Sequence, residues 1–366
     1  MTTPSRITLA RQRRGLRISA LARDLEVARQ TVAAWETGDQ IPTAANLAAL
    51  GERLQFPVEF FTRGDVEPLP IGAVSFRALS KMTASTRDVA LAAGRTALLI
   101  DEWLAARYRL PEPDVPTLGL QPPEQAAEAL RHRWGLGNAP ISNMTHLLEA
   151  KGVRIFSLPE ECRTVDAYSL RWHGTPVVLL TPGKSAERRR FDLAHELAHL
   201  VLHAEREHFQ GPKAEDEANR FASSFLMPRR GMLGRPLRHA TIDMILTERR
   251  RWKVAAMALT YRLNELGFLT EWEYRNHCIA LSRRGFRRSE PGGINHESSQ
   301  LLSKITQSLR RKGIGTSQLA TQVGVTVEEL SSYLLGLVVM PIANNVHAHV
   351  AATGDENISP RHLHLA

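Results

Sequence analysis

Cysteine is nearly absent from this 366-residue chain: Cys162 and Cys278 stand far apart and in no CxxC pair. So little sulfur supports neither a disulfide framework nor a thiolate zinc site, and a reducing, cytoplasmic setting is the expectation that follows. Long apolar runs are missing as well. No window approaches the roughly 18 residues that a membrane span requires. The opening MTTPSRITLARQRRG lacks the apolar core of a signal peptide, so a soluble protein without a membrane partner is expected. Acidic residues are the scarcer charge, 38 against 47 Lys and Arg, for a net +9. That excess is uneven. Arg6 to Arg29 holds 7 basic residues against 2 acidic, and Arg229 to Glu290 holds 14 against 6. Such runs read either as solvated faces or as footprints of an anionic partner. The length exceeds one ordinary domain and suits two or three, each able to bury a core without crosslinks.

Residues 6–61 carry short helical patterns and hardly any strand signal. Leu9, Arg13 and Leu16 set a first helix ending near Gly15, and Ser19 can cap a second that runs through Leu25. The segment ARQTVAAWE makes a third, with Val32 and Trp35 inward at a spacing of three, and Gly38 ends it. Asn46 to Leu54 supplies a fourth, striped by Leu47, Leu50 and Leu54. Over about 55 residues this stretch, LARDLEVARQTVAAWETGDQIP in particular, resembles the Xre/Cro-like helix-turn-helix family. The resemblance implies that the third helix enters the major groove of double-stranded DNA, with Arg29, Gln30 and Thr31 reading bases. Arg11, Arg13 and Arg17 become the candidates for the phosphate backbone. One copy reads only a half-site, so a homodimer is expected.

Residues 66–85 are rich in proline and small residues and read as a linker or docking strap. Helices follow over 87–109, Pro123 to Trp134 and Ile141 to Lys151. GVRIFSL is a short apolar strand, and DAYSLRWHGTPVVLLTP reads as two strands around a turn at His173 and Gly174. A small sheet thus precedes FDLAHELAHLVLH, residues 191–203, which is apolar almost all round and must be a buried helix. Its polar residues require a reason. Four residues are a little over one helical turn, so His195 and His199 leave one face close enough to share an ion. Imidazoles suit zinc, and Glu196 beside them can act as general base. A third ligand is sought on KAEDEANRFASSFLMP, whose buried face is Ala218, Phe221, Ala222 and Phe225. There Glu215 can bind the metal while Asn219, four residues on, holds a histidine's second ring nitrogen. Glu217 is the rival ligand, about 200° round the helix from Glu215. His203 reads as a helix-end residue or one standing behind the ligands.

RRRFDLAHELAHLVLH followed by EDEANRFASSFLMP resembles the ImmA/IrrE family of zinc metallopeptidases, over about residues 150–230. The resemblance implies a gluzincin-like fold, Zn2+ held by two histidines and a glutamate, and limited cleavage of a repressor-like DNA-binding partner. The glutamate of the family's E-x-x-A-N pattern falls on Glu215. The strand that would align substrate by strand addition falls on Ala167, Tyr168, Ser169 and Leu170.

Further on, Val254, Met257, Ala258 and Tyr261 are expected to face inward on a helix, and Tyr261 or His239 is a candidate oxyanion stabiliser. GIGTSQLATQVGVTVEELSSYLLGL repeats helix-turn-helix spacing, but it lacks the Trp-Glu exit and has Glu328 and Glu329 where a basic reading helix would be cationic. It reads as a structural helical module. The last dozen residues are expected to fray. The fold expected is mainly α with a small sheet (α+β). A helix-turn-helix domain spans 1–65, a linker 66–85, a metallopeptidase domain 86–290 and a C-terminal helical module 291–366. The function expected is DNA binding joined to zinc peptidase action in transcription regulation. The alternative readings are a regulator whose peptidase-like domain only senses a ligand or partner, and an antitoxin-like scaffold.

Overall fold

In a computed structural model of the chain, the described residues are 2–70, 83–119, 121–203, 211–334 and 336–338. Residues 71–82 of the expected linker and the tail expected to fray lie outside them. The architecture is mostly helical with one small mixed sheet. The chain opens with α1 (Pro4–Arg13), α2 (Ile18–Asp24), α3 (Arg29–Thr37) and α4 (Ala44–Leu54). Pro4 suits the first helical turn, where its missing N–H would have had no partner. Gly38 ends α3 in the left-handed conformation. Val32 and Trp35 are buried beneath α3, with Ile7, Leu21 and Leu50. Ser19 does not cap α2: the helix already begins at Ile18, behind Arg17, which makes no side-chain cap bond. Thr43 caps α4 by accepting from Asn46 N at 3.2 Å, so that helix starts two residues before the expected Asn46.

A long helix, α5 (Ala84–Ala105), packs on α1. It is followed by α6 (Pro123–Arg133) and α7 (Met144–Ala150). The sheet comprises β1 (Arg154–Ser157), β2 (Tyr168–Trp172) and β3 (Thr175–Leu180), in the order β1-β3-β2. β1 runs parallel to β3, with Arg154 opposite Val177, and β2 runs antiparallel to it, with Tyr168 opposite Leu179. His173 and Gly174, both at positive φ (45° and 83°), form the two-residue hairpin turn that this pair specified in the sequence.

β3 feeds α8 (Ala186–Ala198), capped by Ser185, whose hydroxyl accepts from Arg188 N at 3.2 Å. The expected single helix over 191–203 changes winding at His199, where a π-helical turn, His199–His203, takes over. Carbonyls of this turn accept from outside the helix: Leu118 N donates to Val201 O at 2.7 Å and Arg171 Nη2 donates to Leu200 O at 3.1 Å. α9 (Pro212–Leu226) lies against α8, burying Ala218, Phe221, Ala222 and Phe225 completely.

Beyond it come α10 (Arg229–Leu233), α11 (Ile242–Trp252), α12 (Ala256–Glu265) and α13 (Glu271–Arg283), then α14 (Gln300–Arg311), α15 (Thr316–Val323) and α16 (Val327–Leu334). The inward face of α12 is Ala256, Leu259, Thr260 and Leu263, not the set expected from the sequence. Val254 is buried ahead of the helix, so the phase is set from Ala256 and Tyr261 is left outside, 47 % exposed.

Candidate metal centre and nucleic-acid interface

α8 is buried along both halves, and its polar residues converge with one from α9. His195 and His199 point their Nε2 atoms at a common space, 3.1 Å apart. Glu215, in the first turn of α9, completes the group: Oε2 is 3.3 Å from His195 Nε2 and Oε1 is 3.5 Å from His199 Nε2. A tetrahedral ion with bonds of about 2.0–2.1 Å separates its ligand atoms by about 3.3 Å. These three donors therefore fit one metal ion of zinc's size and preference, and they form the cluster of His, Cys, Asp or Glu that meets that test among the described residues.

The chemical states also fit. Burial pushes His199 down to about 4, against the pull of Glu215, so the ring is neutral near neutral pH, the state a metal requires. Burial works to raise the Glu215 carboxyl, but hydrogen bonds from His195 and His199 outweigh it and hold the group at about 2.

Each histidine is held from behind. Asn219 Oδ1 lies 3.1 Å from His195 Nδ1. His199 Nδ1 lies 2.9 Å from His203 Nδ1, and His203 Nε2 lies 3.2 Å from Glu217 Oε2. With both ligand histidines presenting Nε2 to a metal, Nδ1–H of His195 donates to Asn219 and Nδ1–H of His199 donates to His203. His203 in turn donates from Nε2 to Glu217. Glu217 thus stands at the end of this relay and away from the three-ligand cluster. The sequence carried a signal for the chain of rings, since His203 follows His199 at the same spacing as His199 follows His195.

Glu196 is buried beside the ligands, and Ser169 Oγ donates to its Oε2 at 2.7 Å. This contact between β2 and α8 was not legible in the sequence. Ala167, Tyr168, Ser169 and Leu170 are 3, 0, 2 and 2 % exposed, and Ala167 precedes β2. β2 lies at an edge of the sheet, paired with β3, and Tyr168 is packed toward α5, its hydroxyl donating to Ala90 O at 2.7 Å. Among the described residues no polar contact ties Tyr261 or His239 to the cluster, and His239 Nδ1 is instead 2.9 Å from Glu273 Oε1.

On the first domain, Arg29 and Gln30 are exposed at the start of α3, Thr31 is half-buried beside them, and Arg17 is exposed. Two of the expected backbone contacts are committed elsewhere. Arg11 forms a bidentate pair with Glu36, Nε to Oε1 at 2.6 Å and Nη2 to Oε2 at 2.8 Å. Arg13, 2 % exposed, donates Nε to Glu329 Oε1 at 2.6 Å and cannot reach a phosphate from there.

A three-helix turn unit followed by a buried two-histidine, one-glutamate cluster defines a helix-turn-helix protein with a metallopeptidase-like domain. Comparison with known families agrees with both halves: residues 7–61 match the helix-turn-helix family, and residues 148–264 match the IrrE N-terminal-like domain of peptidase family M78. No match was found among curated proteins. No helix of the described residues is long and apolar enough to cross a membrane.

Proposed function

We propose that the chain is a DNA-binding, zinc-dependent metallopeptidase that regulates transcription in the cytoplasm by limited cleavage of a repressor-like protein. The observation that carries this reading is the triangle of His195, His199 and Glu215 with Glu196 adjacent. His195, His199 and Glu215 would hold the ion. Zinc bound there supplies Lewis acidity toward a peptide carbonyl and toward a water molecule. The remaining work falls to side chains. Glu196 accepts the proton of the attacking water and returns it to the departing amine, while Ser169 fixes one carboxylate oxygen. Asn219 and His203 fix the two imidazole rings, so that Nε2 faces inward without a rotational search.

Arg29, Gln30 and Thr31 are proposed to read bases, and Arg17 remains as a phosphate contact. A single reading helix per half-site favours a dimer on DNA. Metal analysis tests the first half of this function. Purified chain should hold about one zinc, lost in His195→Ala and in His199→Ala. Folded wild-type protein that takes up no zinc when zinc is offered would remove the site.

A further inference from the structure

The C-terminal helices repeat the N-terminal ones in register. Gly313 follows Gly15 by 298 positions, as Gly324 follows Glu26 and Gly336 follows Gly38, and all six residues sit at positive φ. The same offset relates the backbone bonds that close the turns. Gly15 N to Gln12 O recurs as Gly313 N to Arg310 O, Leu16 N to Arg11 O as Ile314 N to Leu309 O, and Val27 N to Ala22 O as Val325 N to Ala320 O. It also carries α2 onto α15 and α3 onto α16, and it places buried Leu330 and Tyr333 where Val32 and Trp35 stand. The described residues from 300 to 334 and 336 to 338 are therefore built as a second helix-turn-helix.

Its reading helix faces protein. At the position of Thr31 stands Glu329, buried, whose carboxylate accepts from Arg13 Nε at 2.6 Å, Arg14 Nη1 at 2.8 Å and Tyr333 Oη at 3.0 Å. Arg63, from the end of the first domain, donates to Thr321 O and Gln322 O at 2.7 and 2.8 Å, closing the last turn of α15. The other side of the unit reaches α8. Arg189 Nη1 donates to Gly336 O at 2.8 Å, and Arg190 pairs with Glu297 just ahead of α14. Arg189 lies six residues before His195 on one helix, about 9 Å along its axis.

We propose that residues 300–338 are a duplicated helix-turn-helix whose reading helix has been turned from DNA to protein. It serves as a clasp that fixes the DNA-binding domain to the N-terminal half of the metal-bearing helix. The two domains are then held as one body, by Glu329 on one side of the clasp and by the Arg189 contact with Gly336 on the other. The clasp stands independently of the peptidase reading, since it rests on the repeat and its contacts.

Hydrogen exchange on the full-length chain tests it. Glu329→Lys places a third cation against Arg13 and Arg14, and removing a buried charge's counterpart is strongly destabilising, so amides of α1 to α4 should exchange at least about tenfold faster. Amides of residues 190–198 and 212–226 should keep their protection. The charge-swapped double variant Arg13→Glu, Glu329→Arg should recover protection in α1 to α4, which separates loss of docking from simple unfolding of α16. Glu328→Ala, next to Glu329 and exposed, should leave DNA affinity unchanged. The clasp is overturned by wild-type protection in Glu329→Lys, by failure of the swap to restore it, or by a loss of DNA affinity in Glu328→Ala equal to that in Gln30→Ala.

Discussion

Replacing Asn219 by alanine removes the acceptor of His195 Nδ1 without touching a ligand atom. Losing such a partner typically lowers metal affinity by about 10- to 100-fold, or roughly 1.4–2.7 kcal/mol. The structure decides where in that range each histidine falls. Asn219 is half-buried, and water can take the place of Oδ1 beside a His195 ring still fixed by packing at 1 % exposure. Asn219→Ala should therefore sit near the lower end, about tenfold. His203 is buried, and its partner His199 is 4 % exposed, so His203→Phe keeps the volume while leaving Nδ1–H of His199 with no acceptor and little access for water. That variant should sit near the upper end, about 100-fold. Competition against a chromophoric zinc chelator at fixed pH measures both, with circular dichroism to check folding. Asn219→Asp, which keeps an acceptor, should bind zinc as tightly as wild type or more tightly. Equal affinities for wild type, Asn219→Ala and His203→Phe would refute the argument that these residues orient the ligands.

The metal-free protein should lose stability on acidification. The His199 value, lowered to about 4 from an ordinary value near 6.5, means that the unfolded chain binds the proton first. Stability therefore rises with pH between those limits, and it falls as pH drops through them. Urea denaturation at pH 7 and at pH 5, compared with His199→Leu, should show this dependence in wild type and a weakened one in the variant; equal slopes would remove His199 as its source. In DNA binding, Arg29→Ala or Gln30→Ala should weaken a preferred sequence by roughly 1–3 kcal/mol at matched salt while non-specific affinity changes little. Full retention of sequence preference in both variants would place base reading elsewhere. Arg13→Ala should leave the salt dependence of DNA binding unaltered, because its guanidinium is already held by Glu329.

Local periodicity made much of this molecule legible. The three strands lie where apolar runs met a His-Gly turn, and α9 buries the four residues that its spacing selected. His195, His199 and Glu215 could be read because ligand geometry within a helix follows from its pitch, and because an acidic first turn on the next amphipathic helix offered the third donor. What stayed hidden was set by contacts distant in sequence. Arg13 looked like any exposed cation until Glu329, 316 residues later, was seen to bury it. Ser169 reads as one polar residue in an apolar strand, and only the packing of β2 on α8 turns it toward Glu196. The π turn at His199 left no mark in the hydrophobic pattern, since a helix apolar on every side gives no phase from which a change of winding could be read. The C-terminal spacing was visible, but the direction in which its reading helix faces depends on which domain it packs against.

Glu196→Gln separates peptide cleavage from metal binding alone. The amide keeps the shape of the carboxylate and its contact with Ser169, while losing the ability to take a proton from water. Cells carrying wild type or variant at equal level would be followed by immunoblot for the cleaved partner protein and by a reporter from its target promoter, with zinc content measured on the purified chains. About one zinc is expected in both proteins, with at least a roughly 10²-fold loss of cleaved fragment in the variant and loss of the reporter response. A reporter response and fragment yield unchanged by Glu196→Gln would contradict the peptidase reading, whatever the zinc content.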